Sequence, residues 1–380
     1  MRGAMASFRE IPLLSSLQTT IESQGLVSPT DIQALVIPAL LAGRSVVGVA
    51  ETGSGKTLAY ALPILHVLKT IEASEPTSSP TAPRALVIVP TRELGEQVAK
   101  VFKIFTHETR LRVRTLLGGM KVDAARRNVQ GMFEVLVATP GRLAQFVERE
   151  LVRLSDVRLA VLDEADQLLD LGFLAESKRL VRACRADCQL ALFSATIPPA
   201  VEALIQSAFD DPAVIRTEGS HKTVASLVTR NVNVVRGRRF EALQEILAQD
   251  LPGGTLLFAN TRDQCDALVA QLRAAGHACL VYRGEMDKVE RKKNLRAFRD
   301  GEIDLLVATD LGSRGLDVEH VARVVNYHLP ESMQNYLHRV GRTARAGRSG
   351  LVINLVTSRD RRLVSQLEGM KPPGGPSRRP

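Results

Sequence analysis

Residues Ala50–Thr57, which read AETGSGKT, decide the fold of this 380-residue chain. A short apolar run precedes them and a segment with helical spacing of apolar residues follows, so they predict a strand, a glycine-rich loop and a helix. Backbone N–H groups at the start of such a helix point at phosphate, and the helix dipole favours negative charge there. Gly53 and Gly55 permit the tight turn. Lys56 supplies a cation for the β- and γ-phosphates of a nucleotide, and the Thr57 hydroxyl is a ligand for Mg²⁺.

Strand and helix patterns alternate along both halves of the chain. Short apolar runs predict strands at residues 46–49, 85–89, 113–117, 135–138, 159–162, 190–193, 256–259, 277–282, 305–308, 321–326 and 350–355. Helical spacing predicts helices at 58–70, 94–106, 122–129, 143–148, 262–275, 288–300 and 332–340. This alternation is typical of βαβ units, so we predict two tandem α/β domains, each with a parallel sheet. The predicted parts are a first domain at 1–215, a linker at 216–224, a second domain at 225–366 and a disordered basic tail at 367–380.

A second phosphate-handling signature, the letters DEAD at Asp163–Asp166, directly follows an apolar run. A carboxylate at the end of a buried parallel strand points into the crevice at the carboxyl edge of the sheet. Asp163 would there hold the Mg²⁺ shared with Thr57, and Glu164 would polarise the attacking water. The alternative is an acidic helix N-terminus that serves only the helix dipole.

An arginine-rich stretch, HRVGRTAR at His338–Arg345, lies far along the chain. Arg342 and Arg345 are three residues apart, so they share one face of a helix. An arginine supplied to the γ-phosphate during phosphoryl transfer contributes about 10³–10⁵ in rate. These two arginines would reach that phosphate only if the second domain closes onto the first. The alternative is a basic helix that binds RNA phosphates.

Composition and charge narrow the class of protein. The apolar fraction is 45% and the charged fraction 24%, as in ordinary globular proteins. No apolar run approaches the roughly 18 residues of a bilayer span, and the N-terminus has no secretory h-region, so we expect a cytoplasmic protein without a membrane partner. The net charge of +9 is concentrated in residues 223–380, which hold 25 Lys+Arg against 17 Asp+Glu. This excess favours a polyanionic partner such as nucleic acid.

The motifs and their order resemble those of DEAD-box RNA helicases, within helicase superfamily 2, over about residues 8–357. The segment Gly25–Gln33 is similar to the adenine-reading motif of the family, with Phe8 at the usual distance upstream. The resemblance implies two RecA-like P-loop domains, ATP and Mg²⁺ as cofactors, and RNA as the partner. It also implies local strand separation by bending one strand, rather than long translocation.

The resemblance further implies a role for each shared motif. Phe8 would stack on adenine, Gln33 would hydrogen-bond its edge, and Asp310 would bind the ribose. The implied ATP-binding residues are Phe8, Gln33, Thr52, Gly53, Ser54, Gly55, Lys56, Thr57 and Asp310. The implied catalytic residues are Lys56, Asp163, Glu164, His338, Arg342 and Arg345, with Thr57 and Asp163 as Mg²⁺ ligands. The implied RNA-binding residues are Pro90, Thr91, Arg92, Gly118, Gly119, Thr139, Pro140, Gly141, Arg142, Thr261 and Thr309, and the implied coupling residues are Ser194, Thr196, Arg314 and Asp317.

Four positions depart from the pattern of the family. Glu51 replaces Gln, Gly95 replaces Ala and Ala344 replaces Gly. Lys288 stands where a Gln usually precedes an arginine. A carboxylate near the phosphates weakens ATP binding if it points inward, so we expect Glu51→Gln to lower the Michaelis constant for ATP. With Lys288 in place of Gln, a polar contact that is usual in the family is lost, or the lysine binds a phosphate instead.

The motifs and the charge distribution leave three candidate functions. The first is a monomeric ATP-dependent RNA helicase that unwinds or remodels short RNA duplexes and RNA–protein complexes with little sequence preference. Its basic tail or protein partners would direct it to its targets. The second is an ATP-gated RNA clamp or assembly factor that does not unwind. The third is a DNA translocase, which the acidic motif together with Gln33 disfavours. Strand displacement separates the first two, and ATPase stimulation by RNA or DNA of equal length identifies the third.

Overall fold

A computed structural model describes the chain at residues 7–51, 53–72, 74–75, 79–217, 227–235, 237–249, 251–284, 286–310, 318, 320–343 and 350–369. The chain divides into two compact units, Met1–Ser220 and His221–Pro380. The division falls inside the segment predicted as a linker at 216–224. Each unit has its own sheet and its own core.

The first unit contains one parallel sheet covered by helices. Its described strands are β1 (Val46–Val49), β2 (Ala85–Ile88), β3 (Val113–Leu116), β4 (Val135–Ala138), β5 (Leu159–Leu162), β6 (Gln189–Ser194) and β7 (Ala213–Arg216). Its described helices are α1 (Ser15–Ser23), α2 (Asp31–Leu41), α3 (Lys56–Ile71), α4 (Arg92–Thr109), α5 (Val122–Asn128), α6 (Pro140–Glu148), α7 (Ala165–Asp170), α8 (Leu174–Arg182) and α9 (Pro199–Ala208). The strand order is β3-β4-β2-β5-β6-β1-β7.

Both faces of this sheet are buried. Val46 and Val87 belong to one apolar cluster, while their chain neighbours Val47 and Leu86 belong to another. Successive side chains of a strand point to opposite faces, so the two clusters lie on opposite sides of the sheet. This is why the central strands read as unbroken apolar runs, as expected for parallel sheets with helices on both faces.

The second unit repeats this architecture. Its described strands are β8 (Leu227–Asn233), β9 (Gly254–Phe258), β10 (Leu280–Tyr282), β11 (Leu305–Ala308), β12 (Val321–Asn326) and β13 (Gly350–Val356), in the parallel order β10-β11-β9-β12-β13-β8. Its described helices are α10 (Arg239–Leu247), α11 (Arg262–Ala274), α12 (Lys288–Arg299), α13 (Met333–Val340) and α14 (Arg361–Gly369). Leu256 and Leu257, adjacent on β9, again pack into different clusters.

The predicted fold class, two tandem parallel α/β domains, is confirmed. Each strand predicted from an apolar run is present, with ends shifted by three residues or fewer. The structure adds two strands, β7 and β8, which lie at the edges of the two sheets. It also adds helices α1, α2, α7, α8, α9, α10 and α14.

Among the residues that the structure describes, none forms a helix with both the length and the apolar character that a bilayer span requires.

Candidate active site

The strand order of the first unit gathers the predicted motifs at one edge of its sheet. The glycine-rich loop follows β1, the acidic motif follows β5, and Ser194 ends β6. Strands β5, β6 and β1 are neighbours in the sheet. Because their carboxyl ends meet at the same edge, these three motifs lie side by side, at the position where open α/β sheets bind ligands.

The glycine-rich loop turns sharply before α3. Gly53 and Gly55 have φ angles of +86° and +90°, in the left-handed region that favours glycine. Lys56 begins the helix, and its Nζ donates to the carbonyl oxygens of Ala50 at 2.7 Å and Glu51 at 3.1 Å. The lysine is 7% exposed. Thr57 follows in the first turn, and Thr52 lies outside the described residues.

Two residues at the start of α2 hold the loop in place. The Gln33 amide nitrogen donates to the carbonyl oxygen of Gly55 at 3.0 Å, and the Thr30 hydroxyl donates to that of Ser54 at 2.7 Å. The Gln33 amide oxygen accepts from the backbone N–H of Thr30 at 2.9 Å and so completes a capping box. A Cβ at Gly55 would overlap the Gln33 amide. The glutamine therefore fixes the phosphate loop, and adenine contact by Gln33 stays a prediction.

Phe8 lies close to this region but is almost completely covered. Its side chain is 2% exposed, and its backbone N–H donates to the carbonyl oxygen of Val27 at 3.3 Å. Phe8, Gly25, Leu26 and Val27 line part of a cavity of about 440 Å³. Stacking of Phe8 on adenine stays a prediction that requires access to a ring that is buried in this structure.

Asp163 sits at the end of β5 with both carboxylate oxygens engaged. Oδ1 accepts from the backbone N–H of Glu164 at 3.0 Å, and Oδ2 accepts from the Tyr60 hydroxyl at 2.7 Å. Burial raises the pKa of Asp163 above its usual value, and the charge of Lys56 and the Tyr60 hydrogen bond act in the opposite direction. Burial, with Asp163 next in effect, raises the pKa of Tyr60 well above its usual value, so the phenol is a neutral donor.

Glu164 adopts a backbone conformation that is unfavourable for a residue with a side chain. Its φ is +51° and its ψ +56°, and its side chain is 7% exposed. Left-handed backbone at a residue other than glycine costs of order 1–3 kcal/mol and is concentrated at functional sites. The left-handed turn at Glu164 separates the end of β5 from the start of α7.

Asp166 connects the acidic motif to Ser194 and Thr196. Its Oδ2 accepts from the backbone N–H of Thr196 at 3.1 Å and from its hydroxyl at 3.2 Å. Its backbone N–H donates to the Ser194 hydroxyl at 3.1 Å, and that hydroxyl donates to the Thr196 carbonyl oxygen at 2.6 Å. These hydrogen bonds link the acidic motif to Ser194 and Thr196, whose predicted coupling role stays a prediction.

The predicted RNA-binding residues of the first unit gather at the other half of the same sheet edge. They follow the neighbouring strands β3, β4 and β2. The Thr139 hydroxyl accepts from the backbone N–H of Gly118 at 2.9 Å, and Arg142 donates to the carbonyl oxygen of Met120 at 2.8 Å. Thr91 caps the N-terminus of α4. The remaining members of this group, by position, are Pro90, Arg92, Gly119, Pro140 and Gly141.

In the second unit, a buried arginine organises the corresponding edge. Arg339 is 1% exposed, and its guanidinium makes five hydrogen bonds. Two of them go to the carboxylate oxygens of Asp310, at 2.5 and 2.7 Å. The others, at 2.6–3.1 Å, go to Asn326 Oδ1, the carbonyl oxygen of His328 and Asn260 Oδ1. Asp310, predicted to bind ribose, is thus also the partly exposed ion-pair partner of the buried Arg339.

The other described residues that were predicted in the second unit, Thr261, Thr309, His338 and Arg342, lie within three residues of members of this cluster along the chain. Arg342 is 5% exposed, and its Nε donates to the carbonyl oxygen of His338 at 3.1 Å. Thr261 caps the N-terminus of α11, and Thr309 is buried at the end of β11. Three predicted residues lie outside the described part of the chain: Arg314, Asp317 and Arg345.

Comparison with known families agrees with this geometry. The family described as DEAD/DEAH box helicase matches residues 30–204, and the helicase conserved C-terminal domain matches residues 238–347. RNA helicase CrhR of Synechocystis sp. is 35% identical over 364 residues, which cover 96% of this chain and 72% of CrhR.

The chain belongs to the DEAD-box family of ATP-dependent RNA helicases. A second relative in this family is the DEAD-box ATP-dependent RNA helicase RhpA of Helicobacter pylori, 36% identical over 92% of this chain and 70% of its own length. Among solved structures, Saccharomyces cerevisiae Dbp5 bound to RNA and ADP BeF3 matches with a TM-score of 0.83 and 27% identity, over 96% of this chain and 93% of that one. A DEAD box protein of Methanococcus jannaschii matches at 31% identity with a TM-score of 0.55, over 96% of this chain and 97% of that one.

Three residues of this DEAD-box site were not singled out from the sequence: Tyr60, Asp166 and Arg339. The spacing of Tyr60, four residues after Lys56, places both on one helix face and could have indicated it. Asp166 is the last letter of the acidic motif. Arg339 belongs to the arginine-rich stretch His338–Arg345, but its pairing had no local signal, because its partners are 11 to 79 residues away along the chain.

Proposed function

We propose that this DEAD-box helicase binds ATP with Mg²⁺ at the ends of β5, β6 and β1, and RNA at the ends of β3, β4 and β2. The observation that carries the proposal is this division of one sheet edge between buried charged groups and helix N-termini with hydroxyls, glycines and partly exposed arginines. Hydrolysis of ATP to ADP and phosphate then drives unwinding or remodelling of short RNA duplexes and RNA–protein complexes.

The residues at the nucleotide half have the chemistry that Mg²⁺–ATP requires. Apart from its chain neighbours, no residue that the structure describes lies within 4 Å of a Cβ built on Gly53, so the loop leaves open space on that side. Lys56 would contact the β- and γ-phosphates, and Thr57 and Asp163 would hold Mg²⁺, which neutralises phosphate charge when bound. Glu164 would orient and polarise the attacking water.

The residues at the RNA half suit a sugar–phosphate backbone rather than base edges. Thr91 and Thr139 immediately precede helices α4 and α6, whose first N–H groups can bind phosphate. Contacts of this kind position a strand without specifying its sequence. We therefore propose little sequence preference and a steep dependence of RNA affinity on salt concentration.

The Asp166 hydrogen bonds to Thr196 support a coupling role for Ser194 and Thr196. A change at the acidic motif on ATP binding or hydrolysis would reach this segment directly through Asp166. Arg314 and Asp317 are proposed to take part in the same coupling on the strength of their motif alone.

Arg342 and Arg345 are proposed to supply positive charge to the γ-phosphate, with His338 coupling them to the acidic motif. We expect Arg342→Ala to lower the turnover number by about 10³-fold or more and to leave ATP affinity nearly unchanged. Steady-state ATPase kinetics with saturating RNA, together with equilibrium nucleotide binding, measure both quantities. Weaker RNA affinity at an unchanged turnover number would refute the assignment.

The decisive experiment compares RNA-stimulated ATPase activity with displacement of a strand from a short RNA duplex. We expect both activities, and stimulation by RNA to exceed stimulation by DNA of equal length. ATPase activity without displacement would instead support an ATP-gated clamp, which the helicase relatives do not favour. Equal stimulation by RNA and DNA would contradict the assignment of RNA as the substrate.

We further propose that the chain acts as a cytoplasmic monomer whose RNA targets are selected by protein partners. The fold supports the last point, because a Dbp5 variant bound to a Gle1 variant and IP6 matches this chain with a TM-score of 0.75. Sedimentation of the purified protein tests the oligomeric state.

A further inference from the structure

Tyr60 is a buried residue of α3 that lies beside the proposed Mg²⁺ site. It follows Lys56 by four residues and Thr57 by three, so the three side chains share one face of the helix. The hydroxyl group donates to Asp163 Oδ2 at 2.7 Å. Helix α3 therefore approaches the end of β5 with a hydrogen-bond donor as well as with the phosphate-binding lysine.

The ring of Tyr60 is confined on two sides by aromatic side chains. Its centroid lies 5.2 Å from that of Phe193 and 6.3 Å from that of Phe102, with tilted planes. Tyr60 is 0% exposed. Because these contacts restrict the ring, the hydroxyl stays within hydrogen-bond distance of Asp163 and is shielded from solvent.

The carboxylate of Asp163 is thereby fixed at both oxygens. The Glu164 N–H binds Oδ1 and the Tyr60 hydroxyl binds Oδ2. A carboxylate offers about four acceptor positions, so these two contacts leave lone pairs for a cation or a water molecule. Carboxylates that ligate metals are regularly oriented by hydrogen bonds of this type, and loss of such a partner typically lowers metal affinity by about 10–100-fold.

We propose that Tyr60 is a positioning residue, which holds the Asp163 carboxylate in the orientation that binds Mg²⁺ together with the nucleotide. The inference rests on the proposed function of Asp163 as a Mg²⁺ ligand. Tyr60 is not itself a ligand in this scheme, because its O–H group is directed at the carboxylate. The hydrogen bond from Tyr60 restricts rotation of the Asp163 carboxylate before Mg²⁺ binds, so Mg²⁺ binding does not have to restrict it.

The test is a Mg²⁺ titration of nucleotide binding in the full chain, without turnover. The signal is the fluorescence of ADP that carries a methylanthraniloyl group, at fixed nucleotide concentration. We expect Tyr60→Phe to raise the Mg²⁺ concentration at half-saturation by about 10-fold or more. Binding in the presence of EDTA is expected to stay the same, since the ring contacts are kept and only the hydroxyl is lost.

Tyr336→Phe is the matched control. Tyr336 is also buried, and its hydroxyl accepts a hydrogen bond from Asn354 Nδ2 at 3.2 Å in the second unit. This variant loses the same group but is expected to keep the Mg²⁺ dependence of the wild-type chain. If Tyr60→Phe leaves the Mg²⁺ concentration at half-saturation unchanged, or lowers it, the positioning role is wrong.

A double-mutant cycle separates positioning from a general effect on the fold. In an Asp163→Asn background, Tyr60→Phe should no longer change the Mg²⁺ dependence, because the group that it orients has lost its charge. An undiminished effect in that background would show that Tyr60 acts through the packing of α3. If nucleotide binding by the wild-type chain does not depend on Mg²⁺, the proposed Mg²⁺–ATP site is wrong, and the role of Tyr60 is wrong with it.

Discussion

The two halves of the sheet edge in the first unit present different groups for the two binding roles proposed for them. At the ends of β5, β6 and β1 the charged side chains are buried: Lys56, Asp163, Glu164 and Asp166 are 1–7% exposed. At the ends of β3, β4 and β2 the groups are hydroxyls, glycines and backbone N–H groups, and the arginines there are partly exposed. Phosphoryl transfer needs charges shielded from water, where they act strongly. Holding a polynucleotide backbone needs many weaker contacts that can be released.

The largest effect that tests this division is expected at Glu164. Glu164→Gln keeps the shape of the side chain but removes its capacity to accept a proton, so we expect the turnover number for ATP to fall by about 10²–10⁴-fold. RNA and nucleotide affinities should remain close to those of the wild-type chain. Single-turnover hydrolysis and fluorescence anisotropy measure the two quantities. An equal loss of RNA affinity would show that the two halves are not separable.

The corresponding change in the RNA half is Thr139→Ala. It deprives the Gly118 N–H of its acceptor and loosens the turn that follows β3, so we expect RNA affinity to fall by about 5–20-fold, in keeping with 1–2 kcal/mol for a lost hydrogen bond. ATP affinity without RNA should not change. Thr139→Ser is the control, because it retains the accepting hydroxyl and should bind RNA like the wild-type chain. Weak RNA binding by the serine variant would assign the effect to the lost methyl group.

A packing prediction concerns Gly95, which lies close to the residues before two predicted RNA-binding motifs, Val89 and Leu117. Gly95 stands where the family usually has Ala, and a Cβ there would overlap Leu117, directly before Gly118. We expect Gly95→Ala to lower the free energy of unfolding by about 1–3 kcal/mol through overpacking. Adding Leu117→Val should recover part of that loss.

Urea denaturation of the two single variants and the double variant tests this compensation. Additive losses in the double variant would show that residues 95 and 117 do not share one space. Leu117→Val alone provides the reference for the lost methylene group.

The smallest effect is expected at Glu51, the acidic departure in the phosphate loop. Its backbone carbonyl accepts from Lys56, while its carboxylate has no ion-pair partner within the described part of the chain. Glu51→Gln should lower the Michaelis constant for ATP by about 2–5-fold, as expected for removal of a partly solvated like charge. An unchanged constant would mean that the side chain points away from the phosphates.

The central strands could be predicted from the sequence because they are buried on both faces. Their apolar runs predicted the strands, and the motifs that follow these strands predicted the sheet edge at which the candidate site lies. The edge strands β7 and β8 were not predicted, since none of their residues is fully buried and they carry Arg216 and Arg230. Their strand conformation depends on pairing with β1 and β13, which a local pattern does not encode.

The polar contacts of the site were predictable only in part. The residue types and their spacing identified Lys56, Asp163 and Arg342 as candidates. The sequence did not indicate that Gln33 supports the loop through Gly55, or that Asp310 is paired with Arg339, because both contacts join segments that are distant along the chain. Such contacts are set by tertiary packing, not by local periodicity.

The burial of Arg339 restricts how the second unit can vary. Replacement by a shorter or neutral side chain would deprive Asn260, Asn326 and the His328 carbonyl of a donor at the same time. Lysine could not serve instead, because one ammonium group cannot span acceptors arranged around a planar fork. Substitutions at Arg339 and at its side-chain partners should therefore be tolerated only in combination. A library that randomises residue 339 alone should recover almost only arginine.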